Sequence, residues 1–122
     1  MTVARPHPRL KLSKLRDIGW TLWDPIGLLS SDGPFSGRWS DDANSAFADE
    51  YDRYLISAAS QLRRGESRSQ VVRYLVNVEA DYMALGEGPT SQERAEAVVA
   101  AILADESIWT WPDEQGRFAQ ND

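Results

Sequence analysis

Asp49-Glu50-Tyr51-Asp52-Arg53-Tyr54 places three carboxylates within one turn of a helical pattern. Asp49 and Asp52 share a face, and Asp49 and Arg53 are spaced to pair. If the chain doubles back, Glu79 and Asp81 of a following helix face them. Carboxylates on facing helices are the oxygen donors a divalent cation takes, so this is where metal chemistry would sit. A second group of interest is the tryptophans, five in 122 residues. Each ring buries a large apolar area or, left exposed, anchors a protein partner.

The metal reading has two known templates, and the chain departs from both. A di-iron bundle needs Glu-x-x-His pairs, whereas the sole histidine, His7, stands between Pro6 and Pro8, far from either segment. The helical nucleotide pyrophosphatase pattern repeats Glu-x-x-Glu as Glu-x-x-Asp; here Glu79 is followed three residues later by Tyr82. A Mg²⁺-dependent enzyme on nucleotides, using Asp49, Asp52 and Glu79, is therefore the alternative. The principal reading is a solvated or salt-bridged face with no metal. There is no cysteine, so thiol nucleophiles, thiolate metal sites and disulfides are excluded. No histidine is placed to act as a general base, and no cofactor is implied.

Composition favours binding over catalysis. The chain has a 42% hydrophobic and 26% charged content and a net charge of −6, as a globular domain with an acidic surface does. Residues 1–16 hold five basic side chains and no acidic one, whereas residues 79–122 hold ten acidic side chains against two arginines. Overall acidity disfavours nucleic acid and favours a basic protein as partner. No apolar run approaches the ~20 residues of a membrane span. The basic start lacks an apolar stretch and does not read as a secretory signal, and the location expected is cytoplasmic.

The elements that must position these groups are helices. Leu12, Leu15, Ile18 and Leu22 give one face of a helix over 11–23, which Asp24-Pro25 ends. The residue before proline is expected to be extended, and the Asp24 carboxylate to accept backbone N–H bonds in the turn. Residues 28–40 form a loop pinned by Leu28, Leu29, Phe35 and Trp39. A second helix is expected over 41–64, N-capped by Ser40 and stopped by Gly65. Ser67-Arg68-Ser69-Gln70 is a capping box for a third helix that closes at Leu85-Gly86, and Thr90-Ser91-Gln92-Glu93 is a second box for a fourth. Arg63, Arg64, Arg68 and Arg73 gather at the turn between the second and third helices as an exposed basic corner. The tail is expected to be extended, with Trp109 or Trp111 docked on the body.

The blocks Ile18-Gly19-Trp20 to Trp23-Asp24-Pro25-Ile26-Gly27, Asp49-Glu50-Tyr51-Asp52-Arg53-Tyr54 and Glu79 to Gly86 resemble the signature of a widespread group of small, uncharacterised bacterial helical proteins. The resemblance covers about residues 15–105 and implies a compact helical domain in a bacterial cytoplasm. It implies no catalytic mechanism.

The expectation is thus an all-α, single domain over 1–122: an antiparallel bundle of four helices with a tryptophan-containing C-terminal extension, flexible over about 1–10 and 119–122. Trp20, Trp23, Asp24, Pro25 and Gly27 form a structural motif in which Asp24 and Asp52 bond backbone or arginine and fix the first loop on the second helix. Trp39, Asp49, Asp52 and Trp111 are the binding candidates of a small acidic protein-binding module, of immunity or antitoxin type, that could also pair as a homodimer.

Overall fold

The computed structural model of the protein describes residues 8–29, 33–115 and 117. The flexibility expected for 1–7 and 119–122 falls outside them. The chain is dominated by four α-helices with a two-stranded sheet: β1 (Arg9–Leu10), α1 (Leu12–Ile18), α2 (Asp52–Arg63), α3 (Arg68–Asn77), α4 (Ser91–Ala104) and β2 (Trp109–Thr110). α1 runs on as a π-helical turn over Gly19–Trp23, and α3 does the same over Val78–Tyr82. No described helix is long and apolar enough to cross a membrane.

One core joins these elements. Leu15, Trp23, Tyr51, Leu55, Leu75, Val98 and Ile108 are essentially inaccessible to solvent. Trp20 and Trp23 stack against Tyr51, with ring centroids 4.6 and 5.4 Å away. Gly19 lets α2 approach this closely: a Cβ there would lie 2.5 Å from Leu55 Cδ1.

The Trp-Asp-Pro-Ile-Gly turn is fixed by one side chain. Asp24 is not extended. It adopts the left-handed conformation, φ 30° and ψ 61°, and its N–H closes the π-turn on Gly19 O. Aspartate tolerates this region because its short polar side chain bonds locally. Here Oδ1 accepts from Leu28 N and from the Tyr51 hydroxyl, and Oδ2 accepts from Leu29 N. Tyr51 in turn accepts from Ile26 N. The expected bonding of Asp24 to turn N–H groups is therefore found, with a tyrosine added. Burial and the bond to Asp24 push the Tyr51 hydroxyl well above its ordinary range, so it stays a donor.

The second helix is shorter than its pattern. Residues 42–44 form a 3₁₀ turn and 45–51 a run of tight turns, so that α2 begins only at Asp52. Side chains take the backbone groups a helix would need. Trp20 Nε1 donates to Ala48 O, the carbonyl that Asp52 N would use, and Asp52 N bonds Asp49 O instead. Asn44 donates to Ser36 O and Arg38 O, tying the loop to this segment.

The Ser67–Gln70 capping box forms as expected. The Thr90–Glu93 box does not: Thr90 Oγ1 accepts from Arg94 Nε and makes no cap bond. At the N-terminal end, Arg9 and Leu10 are not free. They pair antiparallel with Thr110 and Trp109, and Lys11 N bonds the buried Ile108 carbonyl at 2.7 Å. Trp109 is half-buried beneath the Arg63 guanidinium, and Trp111 is exposed.

Replacing Asp24 by alanine strands Leu28 N, Leu29 N and the Tyr51 hydroxyl. Urea unfolding of Asp24→Ala should show a loss of about 1–3 kcal/mol. A change under about 0.5 kcal/mol would remove Asp24 as the organiser of the turn.

Candidate functional site

Three of the four binding candidates converge. Trp39 and Asp49 line a hollow of about 300 Å³ that also takes in Arg16, Ser40, Asp41, Asp42, Ser45 and Ala48. Asp52 adjoins it through Arg16, in a bidentate pair with Nε–Oδ1 at 3.0 Å and NH2–Oδ2 at 2.7 Å. Trp111, at 55% exposure, is not among the residues around this hollow.

The hollow is held by α1 below and by the turns of residues 37–50 above. Trp39 Nε1 donates to Asp17 Oδ1 at 2.9 Å, and the Arg16 guanidinium lies 5.2 Å from the Trp39 ring centroid. The indole is thereby fixed rather than loose. Asp41 Oδ2 accepts from Arg38 N, and Gly37 beside it has φ +92°. A side chain at Gly37 would also collide with that carboxylate.

Charge is unevenly shared here. Among the described residues Arg16 is the only basic one lining the hollow, and hydrogen bonding to Asp52 holds it charged above the ordinary arginine range. That pair neutralises Arg16. Asp41, Asp42 and Asp49, all exposed, leave a net negative rim beside an aromatic face. An ammonium or guanidinium suits such a rim, by ion pairing with the carboxylates and by contact with the indole face.

The carboxylates of the metal reading are not brought together. Asp52 is engaged by Arg16, and Glu79 by Arg94 on α4. Among the described residues no group of three or more His, Cys, Asp or Glu side chains is placed to hold a metal ion. Glu79 is instead an interior charge, 3% exposed, in the π-turn that follows α3. Arg94 reaches both its oxygens, at 2.7 and 2.9 Å, and Ser91 Oγ donates to Oε2. Arg94 also donates to Trp23 O at 3.2 Å, and Ser91 Oγ accepts from Gly88 N. One arginine thus ties the two π-turns together. The chain matches no family model, no curated protein and no solved structure.

Arg16, Asp17, Asp41 and Asp42 were not among the sequence candidates. Asp41 and Asp42 stand next to Trp39 in the chain, which was a legible signal; Asp17 lies 22 positions from Trp39, and only folding joins them. Ser91 reads in the sequence as a capping-box residue and Arg94 carries no assignment, because nothing in their spacing links them to Glu79.

Burial alone would raise the Glu79 carboxyl, but the bonds from Arg94 and Ser91 outweigh it and hold it below the usual range. The folded protein therefore binds this proton more weakly than the unfolded chain. The stabilisation is complete above the unfolded glutamate value of ~4.3 and disappears as the pH falls through the lowered folded value. Glu79→Gln should lose about 3 kcal/mol at neutral pH, with the gap to wild type closing below about pH 4. Urea unfolding across a pH series measures it; a pH-independent gap would show that Glu79 acts by shape alone.

Proposed function

We propose that this chain is a protein-binding module whose Trp39 hollow takes a basic side chain of its partner. The observation that carries this reading is the convergence of Trp39 with Asp41, Asp42 and Asp49 around a space of about 300 Å³. Arg16, the basic residue among the described lining residues, is already matched by Asp52. Supporting it is the net charge of −6, which suits an immunity- or antitoxin-like protein that blocks a basic target.

We further read the helices as an antiparallel bundle. Only residues 64–67 separate α2 from α3, a connection short enough to force a hairpin. Ser69, Val72 and Gln92 line two grooves: the one that also takes in Arg68 has Glu96 and Val99, and the one that also takes in Val76 and Asn77 has Glu87. This supports opposite directions for α3 and α4. A bacterial cytoplasmic setting rests on the signature resemblance.

An oligo-arginine peptide is a direct probe, followed by calorimetry. Wild type should bind saturably, and Asp42→Asn/Asp49→Asn about tenfold more weakly, as two lost ion pairs imply. A control pair that does not line the hollow, Asp113→Asn/Glu114→Gln, removes the same charge and should bind as wild type does. Equal weakening in both variants would reduce the effect to net charge and overturn the site.

A further inference from the structure

We propose that the hollow between α3 and the start of α4 takes a free α-amino acid with a short aliphatic side chain, held as its zwitterion. The first observation is which residues surround it. A hollow of about 270 Å³ is lined by Arg73 and Asn77 of α3, by Gln92 of α4, by Glu87 of the segment leading into α4, and by Val72 and Val76. Both valines are buried and form its floor, whereas the four polar residues are exposed and form its walls.

The second observation is that its two charges are uncommitted. Among the described residues neither Arg73 nor Glu87 makes an ion pair or a side-chain hydrogen bond, and the two do not pair with each other. The neighbouring hollow, which shares Val72 and Gln92, differs: its carboxylate, Glu96, already accepts from Gln92 Nε2 at 3.0 Å. That bond leaves the Gln92 carbonyl oxygen and the whole Asn77 amide for a ligand.

Charge and size select the occupant. An α-amino acid carries a carboxylate and an ammonium on one carbon, so one small molecule answers both walls. The guanidinium fork of Arg73 suits the carboxylate, and the Glu87 carboxylate suits the ammonium. A simple anion or cation satisfies one wall and leaves the other unanswered, and a phosphate is repelled by Glu87. The valine floor accepts an aliphatic side chain. Sites for drug-sized ligands run to about 300–1,000 Å³, so a hollow of about 270 Å³ suits a single amino acid. It shares no lining residue with the Trp39 hollow and stands apart from the protein-binding reading.

Calorimetric titration with L-valine tests it. Wild type should bind saturably. Isovalerate, which lacks the ammonium, and isobutylamine, which lacks the carboxylate, should each bind about tenfold more weakly. Arg73→Gln and Glu87→Gln should each weaken valine about tenfold while melting as wild type does. Asp42→Asn/Asp49→Asn should bind valine unchanged, whatever it does to an oligo-arginine peptide. No saturable heat with valine, isovalerate or isobutylamine binding as tightly as valine, or either glutamine variant binding valine like wild type each overturns the proposal. If a variant fails to fold, the comparison of the three ligands on wild type decides alone.

Discussion

Everything in the first half of the molecule hangs on the carboxylate of Asp24. It accepts from two backbone N–H groups of its own turn and from the hydroxyl of Tyr51, which lies 27 positions later. Through that hydroxyl the turn is fastened to the segment leading into α2, and through Tyr51's ring the segment is fastened to Trp20 and Trp23. These bonds hold the half-buried carboxylate in place, because each bond to a charged acceptor exceeds a neutral one. The left-handed backbone at Asp24 is the local strain that this arrangement offsets.

Arg94 is the counterpart on the other side of the core. Its guanidinium serves Glu79 on both oxygens and still reaches the carbonyl of Trp23, the last residue of the first π-turn. Charges inside a protein are retained only when their bonds are fully made, and here Ser91 and the backbone of Gly88 complete the set. The two π-turns are where α1 and α3 depart from regular helix at their C-terminal ends, and the cross-tie joins them. That placement explains why Thr90 does not cap α4: its hydroxyl accepts from Arg94 instead.

The surface divides into faces of different character. Around Trp39 the exposed carboxylates outnumber the single paired arginine, and the indole is clamped by Asp17 and Arg16. Around Leu103 the surface is apolar with charges of both signs at the rim. Contact at the first would rest chiefly on charge, which salt screens, and contact at the second chiefly on apolar area. They lie on different elements, so one can be changed without touching the other.

The helical character, the apolar stripe of α1, the first capping box and the turn at Asp24-Pro25 were all legible in the sequence. Each depends on residues within a few positions of one another, where spacing and backbone preference are decisive. The same holds for Trp39 with Asp41 and Asp42. The shortened start of α2 was not legible, because the Ala48 carbonyl is taken by an indole 28 positions away. Glu79 reads in the sequence as part of a solvated or salt-bridged face, with a metal site as the alternative; its partners Arg94 and Ser91 lie 15 and 12 positions on. Arg9 and Leu10 read as a loose end until Thr110 and Trp109 paired with them. Local pattern determined which elements form. Tertiary structure decided which charges meet, because pairing partners are chosen by three-dimensional distance, and a single chain's spacing does not encode that.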